Sequence, residues 1–138
     1  MKRPRVLLVD DDRSVLEALG GVIEAEGFEV VRAANGHEAL QKFRQGSMDI
    51  VLLDLNMPVK GGWDTFEGLT TVNPFLPIVI ITARADALSE ATDRGIAALM
   101  QKPLNIPALL KKMRDLLAEA AAKRLRRVVD DDPQTRQS

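Results

Sequence analysis

The sequence has no cysteine and only one histidine among its 138 residues. The absence of cysteine excludes disulfide bonds, thiolate metal sites and cysteine nucleophiles, and it favours a reducing compartment. His37 alone cannot build a histidine-rich metal site. Neither sign of charge is in excess, because 19 Lys and Arg face 20 Asp and Glu for a net charge of −1. No global field therefore draws the protein to nucleic acid or anionic lipid.

Long hydrophobic runs are absent as well. A membrane-spanning helix requires about 18 or more consecutive apolar residues, and the apolar run behind the basic start lasts only from Val6 to Val9. Such a short run does not make a signal peptide. With 46% hydrophobic and 28% charged residues, the composition is that of a globular domain. We predict one soluble, cytoplasmic domain without membrane association.

Short apolar runs predict the strands of a buried sheet. Runs rich in leucine and β-branched residues are typical of strands covered on both faces. Three such runs are Val6–Val9, Ile50–Leu53 and Ile78–Ile81, and two weaker candidates are Phe28–Arg32 and Ala97–Gln101.

Helical patterns separate these strand candidates. They begin near Ser14, run from Asn35 to Gln45, cover Gly62–Val72 and Asp86–Arg94, and begin again at Ile106. In the first, Ser14 and Glu17 predict a capping box, and Val22 belongs to the predicted buried stripe. Alternating strands and helices predict an α/β fold, a doubly wound five-stranded parallel sheet with helices on both faces. We expect residues 1–121 to form this domain and residues 122–138 to form a helix extension and a flexible charged tail.

Polar side chains follow most of the predicted strands. Ligands of such sheets bind beyond the carboxyl ends of the strands, and the residues there are Asp10, Asp11, Asp12, Asp54, Thr82 and Lys102. Clustered carboxylates repel one another unless a cation intervenes, and oxygen ligands suit Mg²⁺. A carboxylate beside a metal, a lysine and a hydroxyl is equipped for phosphoryl transfer. Asp54 is then a candidate covalent phosphoryl acceptor.

Four motifs occur in one order along the chain: VLLVDDD, VLLDLNMP, IVIITA and QKP. In this order and spacing they resemble the receiver domain of bacterial two-component response regulators, over about residues 4 to 121. The resemblance implies the flavodoxin-like receiver fold and a switch rather than an enzyme. It also implies a sensor histidine kinase or phosphotransfer protein as donor, and a downstream protein partner or an output domain as target.

The resemblance also assigns roles to individual residues. Asp10 and Asp11 would hold Mg²⁺ with Asp54 and the backbone carbonyl of Asn56. Asp54 would accept the phosphoryl group, and Thr82 and Lys102 would bind its oxygens. The Lys102–Pro103 bond would be cis.

One position departs from the family pattern, and two others are positions at which the family tunes its chemistry. Leu99 stands where the family usually has Tyr or Phe, whose ring rotates inward when the domain is activated. Because this ring is absent, the sequence does not define the route by which the site would act on the output. Asn56 and Arg84 occupy positions that tune the lifetime of the acyl phosphate, so we expect a lifetime different from that of a fast-cycling regulator.

Other interpretations remain open at this stage. An aspartate-nucleophile phosphohydrolase of the haloacid-dehalogenase type would carry a second aspartate at the position of Asn56, and a flavodoxin-like cofactor binder would avoid an edge lined with carboxylates. Leu125, Val128 and Val129 could form a homodimer seam or begin a linker. The basic residues from Lys123 to Arg127 are typical of a solvated helix end, so we expect no direct nucleic acid binding.

Overall fold

The computed structural model describes residues 2–56, 61–83, 96 and 98–130, with side chains described up to residue 126. The strands are β1 Arg5–Val9, β2 Glu29–Ala33, β3 Ile50–Asp54, β4 Ile78–Thr82 and β5 Ala98–Gln101. The helices among these residues are α1 Arg13–Ala25, α2 Gly36–Gln45, α3 Gly62–Val72 and α4 Ile106–Asp130. The predicted helix Asp86–Arg94 lies outside the described residues.

The five strands form one parallel sheet in the order β2-β1-β3-β4-β5. This confirms the predicted doubly wound architecture. Strand β3 lies at the centre and is buried along its whole length, which explains why its sequence is an unbroken apolar run and not an alternating one.

The core consists of two layers, one on each face of the sheet. Alternate residues of a strand point to opposite faces, so Leu8 and Leu52 pack in one layer while Leu7 and Leu53 pack in the other. The first layer is closed by α1 and α4, and the second by α2 and α3. This packing fixes the carboxyl ends of the central strands against helices on both sides.

The start of α1 differs from the sequence prediction. Asp12 is the N-cap residue, and its side chain accepts a hydrogen bond from the backbone N–H of Ser14. The predicted capping box of Ser14 and Glu17 is therefore wrong, because the aspartate before them satisfies the helix end first. Val22 is 40% exposed and does not belong to the buried stripe.

The other predicted helix ends agree with the structure. Asn35 caps α2 by accepting from the N–H of Glu38 at 2.8 Å, and Gly46 ends that helix. Helix α4 buries Leu109, Met113 and Leu116 and then continues past residue 121. The domain boundary at residue 121 stays a prediction. Among the described residues, no helix is both long and apolar enough to cross a bilayer.

Candidate functional site

The strand register brings the predicted site residues to one edge of the sheet. Val9 of β1 pairs with Leu53 of β3, so Asp10 lies beside Asp54. On the other side of β3, Asp54 pairs with Ile81, the residue before Thr82. Thr82 in turn pairs with Gln101, the residue before Lys102. Residues far apart in the chain therefore meet because each directly follows, or ends, a strand.

Three carboxylates form the centre of the site. One oxygen each of Asp10, Asp11 and Asp54 lies within 4.8 Å of the others. Asp10 and Asp54 are only 3% and 2% exposed, whereas Asp11 faces solvent. Asp12, the fourth carboxylate expected at this edge, instead caps α1. The cluster is buried on one side and open on the side of Asp11.

Backbone N–H groups orient the two buried carboxylates. Oδ1 of Asp10 accepts from the N–H of Asp12 at 2.9 Å, and Oδ1 of Asp54 accepts from the N–H of Asn56 at 2.9 Å. The remaining oxygens face Lys102, whose Nζ lies 3.4 Å from Oδ2 of Asp10 and 3.2 Å from Oδ2 of Asp54. One ammonium group thus bridges two buried anions.

Burial and charge shift two of these groups from their ordinary titration. Burial raises the pKa of Asp10, and the nearby Asp54 raises it further, although the N–H of Asp12 and the Lys102 ammonium oppose the shift. Burial by itself lowers the pKa of Lys102, but the carboxylates of Asp54 and Asp10 outweigh it and raise that pKa above its usual range. Lys102 is therefore a permanent cation at neutral pH, and the site holds more negative charge than this one cation balances.

Thr82 ends β4 and is completely buried. The Lys102–Pro103 bond is cis, as the resemblance implied. Leu99 is partly buried and packs, like Trp63, against the layer closed by α2 and α3. The proposed metal contact of the Asn56 carbonyl stays a prediction, and Arg84 lies outside the described residues.

The sequence analysis assigned no role to Gly62, which the structure places beside the site. A Cβ atom on Gly62 would lie 2.5 Å from Cα of Leu55, the residue after Asp54. Only glycine therefore lets the first turn of α3 approach the end of β3 this closely. The available signal was the Gly61–Gly62 pair, which follows the VLLDLNMP motif after two further residues.

The donor set fits a divalent cation of the magnesium type. The three carboxylates offer hard oxygen ligands, and the exposed Asp11 leaves an open side for water or a phosphate group. Burial is the main cause of the raised pKa of Asp10, and the negative charge of the neighbouring Asp54 adds to it. A cation bound to these oxygens would relieve the repulsion between the two carboxylates.

Comparisons with known proteins agree with this geometry. Residues 6–114 match the family model described as the response regulator receiver domain. The transcriptional regulatory proteins GlrR and CpxR of Escherichia coli K12 are 35% and 36% identical, over 87% and 82% of this chain respectively. The chain spans 28% of the length of GlrR and 49% of that of CpxR.

Solved structures show the same fold. A CheY-like receiver domain protein from Methanospirillum hungatei JF-1 superposes with a TM-score of 0.83 and 28% identity, covering 88% of this chain and 99% of that one. TrrA of Thermotoga maritima, solved in complex with Mg²⁺ and BeF, gives a TM-score of 0.76 and 31% identity, covering 82% and 98%. None of these matches supports the phosphohydrolase alternative.

Proposed function

This chain belongs to the response regulator receiver domain family and is a two-component receiver, and from that premise we propose that it accepts a phosphoryl group on Asp54. The donor would be the phosphohistidine of a sensor kinase or of a phosphotransfer protein. The modified state would then control a downstream protein or an output domain. The cytoplasmic location expected from the sequence stays a prediction.

One observation carries the proposal. Asp54 is almost fully buried, yet its two oxygens are held by the N–H of Asn56 and by the ammonium of Lys102. A carboxylate held in this way is fixed in orientation and remains beside an open cluster of carboxylates. Catalysis of phosphoryl transfer consists mainly of such positioning and of charge neutralisation.

In the proposed step, an oxygen of Asp54 attacks phosphorus while the phosphorus–nitrogen bond of the donor breaks. The electron pair of that bond leaves with the imidazole nitrogen. Asp10, Asp11 and Asp54 would hold Mg²⁺, which when bound supplies positive charge beside the phosphoryl oxygens. Lys102, whose Nζ lies 3.2 Å from Oδ2 of Asp54, supplies a further positive charge.

The buried hydroxyl of Thr82 supports a role in the response and not in the transfer. It stands at the end of the strand next to β3, where a phosphoryl group on Asp54 would offer it new acceptor oxygens. Such a contact would exist only in the phosphorylated state. A modification shifts a conformational equilibrium only through interactions that differ between the two conformations, and the Thr82 contact would be one of them.

The test is the intact mass of the protein after incubation with acetyl phosphate and Mg²⁺. We expect the wild-type protein and the Asp64→Asn control, which alters an exposed carboxylate, to gain one phosphoryl group. Asp54→Asn should gain none, and a chelator should prevent the gain in every variant. Phosphorylation of Asp54→Asn to the wild-type extent, or no gain in the wild type with Mg²⁺, would overturn the proposal.

A further inference from the structure

A cavity of about 430 Å³ opens at the end of the sheet opposite to Asp54. Its lining includes Pro77 and Ile78, where β4 begins, whereas the proposed phosphoryl site lies where the strands end. Residues 73–77 form one wall, and the later part of α4 forms another. The cavity is therefore separate from the carboxylate cluster, and its volume is that of a small-molecule site.

Much of the lining of this cavity is apolar. Met48, Leu76 and Leu116 are each 8% exposed and contribute to the floor. Two aromatic side chains also line the cavity, the half-buried Phe66 and Phe75, which is 66% exposed. A ligand that covered Phe75 would remove its apolar surface from water, which is favourable. The cavity thus fits the apolar body of a ligand.

Two basic side chains of α4 face the same cavity. Leu116, Ala120 and Lys123 follow one another at spacings of four and three residues, so they lie on one side of the helix, and all three line the cavity together with Arg124. Glu119 precedes Lys123 by four residues, a spacing that favours an ion pair on a helix. Among the described residues, however, neither Lys123 nor Arg124 forms an ion pair. Both cations are therefore available to a ligand.

The other charged residues of the lining limit the charge of that ligand. Asp49 and Glu119 also line the cavity, and Oδ2 of Asp49 accepts a hydrogen bond from the backbone N–H of Arg5 at 2.7 Å. A positively charged ligand would meet the two unpaired basic groups. A doubly charged phosphate would be repelled by the two carboxylates about twice as strongly as a group with one negative charge. The lining therefore fits a single negative charge.

We propose that this cavity binds a small organic acid, which has an apolar or aromatic body and one carboxylate. The body lies between Phe75 and the side of α4 that carries Leu116 and Ala120. The carboxylate accepts hydrogen bonds from the side chains of Lys123 and Arg124, which are donors only. Because the cavity is separate from the carboxylate cluster, binding does not require phosphorylation of the protein.

The first test uses anilinonaphthalene sulfonate, a fluorescent dye with an aromatic body and one negative charge. We expect titration calorimetry to show one dye molecule per chain. Ala120→Phe, which fills the cavity, and Phe75→Ala, which removes one wall, should each raise its dissociation constant, the former by at least about tenfold. Ala118→Phe is the control, because Ala118 is exposed and does not line the cavity. Near-ultraviolet circular dichroism checks the folding of each variant, since the dye also binds partly unfolded protein. No binding to the wild type, or equal effects of Ala120→Phe and Ala118→Phe, would overturn the proposal.

The second test removes the two cations singly. Lys123→Ala and Arg124→Ala should each weaken binding of the dye by about threefold or more, because each removes one partner of the anionic group. Lys112→Ala is the matched control, since Lys112 is an exposed lysine of the same helix that does not line the cavity. If Lys112→Ala weakens binding as much as Lys123→Ala, the dye responds only to the overall charge of the protein and the assigned contacts are wrong.

The third test identifies the class of ligand by displacement of the dye. Naphthaleneacetate, naphthyl phosphate and naphthylmethylamine share one aromatic body and differ mainly in the charge of the attached group. We expect naphthaleneacetate to displace the dye at the lowest concentration. More effective displacement by naphthyl phosphate would contradict the preference for a single negative charge. Displacement by naphthylmethylamine at the same concentration as naphthaleneacetate would show that Lys123 and Arg124 do not bind the charged group.

Discussion

The ammonium nitrogen of Lys102 lies 3.2 Å from Oδ2 of Asp54, and the same nitrogen lies 3.4 Å from Oδ2 of Asp10. A single cation thus holds two buried carboxylates that would otherwise repel each other. The Lys102 ammonium compensates the charge of these carboxylates and also faces an oxygen of Asp54, the proposed acceptor. It therefore supports both the stability of the fold and the proposed chemistry.

Replacing Lys102 with methionine should therefore impair both properties. Loss of the cation leaves two buried anions without their partner, and we expect a loss of about 1–3 kcal/mol in the free energy of unfolding. Phosphorylation by acetyl phosphate should slow by more than about tenfold. Lys111→Met is the control, because Lys111 is 79% exposed and pairs with Asp115 one helical turn away. Urea denaturation and intact mass measure the two effects, and equal behaviour of the two variants would contradict the assigned role.

Asp10→Asn should stabilise the protein at neutral pH while impairing Mg²⁺ binding. Folding raises the pKa of Asp10 above its ordinary value of 3.8, so the folded state disfavours the charged form. The carboxyl group of Asp10 therefore contributes most to the free energy of unfolding at pH values below 3.8. This contribution is lost as the pH rises through the higher pKa that Asp10 has in the folded protein. We expect the melting temperature of the variant to exceed that of the wild type by a few degrees at pH 7, with chelator present. The difference should shrink as the pH approaches 3.8, and a constant difference would contradict this explanation.

Added Mg²⁺ should stabilise the wild-type protein by mass action. At a concentration about 100 times the dissociation constant, the gain is about 2.7 kcal/mol. Asp11→Ala should abolish this gain with little effect on the protein without metal, because Asp11 is exposed. Thermal unfolding with and without Mg²⁺ measures both. An undiminished gain in Asp11→Ala would remove Asp11 from the metal site.

Thr82→Ala should separate acceptance of the phosphoryl group from the response. We expect its intact mass to increase as in the wild type, while the change in Trp63 fluorescence on phosphorylation becomes smaller. Trp63 lies in the first turn of α3, with its ring 5.8 Å from that of Phe66, and is the only tryptophan of the chain. An equal fluorescence change in both proteins would contradict a role of Thr82 in the response.

Gly62→Ala should destabilise the protein, whereas Gly61→Ala should not. A Cβ atom on Gly62 meets the backbone of Leu55, which cannot move without shifting the end of β3, while a Cβ atom on Gly61 has no neighbour within 4 Å. We expect a loss of about 1–3 kcal/mol for Gly62→Ala and a change within about 0.5 kcal/mol for Gly61→Ala. Chemical denaturation of the two variants tests this, and similar stabilities would contradict the close approach.

The sequence was most informative where one physical signal was strong. Buried parallel strands require apolar runs, so β1, β3 and β4 were predicted to within one residue at each end. The side chains at their ends could be placed at one edge because parallel strands share a direction. The exact register was not available from the sequence, and it is the register that places Asp10 and Lys102 around Asp54.

Local competition explains what the sequence analysis missed. Asp12 and Ser14 are both good N-cap residues, and only the path of the chain after β1 decides that Asp12 takes the position. Val22 fits the helical stripe by spacing, but the buried side of α1 is formed by Leu16, Leu19 and Ile23, and Val22 is 40% exposed. The close approach of Gly62 to Leu55 depends on the packing of α3 and has no specific sequence signature beyond glycine itself.

The central position of β3 has a consequence for how the sheet opens. Its amide groups bond within the sheet between two neighbouring strands, and helices cover both faces, so we expect its hydrogens to exchange with solvent more slowly than those of the edge strands β2 and β5. Asp54 is the last residue of this most protected strand. The proposed acceptor would thus be anchored on the strand that we expect to fluctuate least, whereas the edge strand β5, which Lys102 follows, is the more adaptable part of the sheet through which a modification would be transmitted.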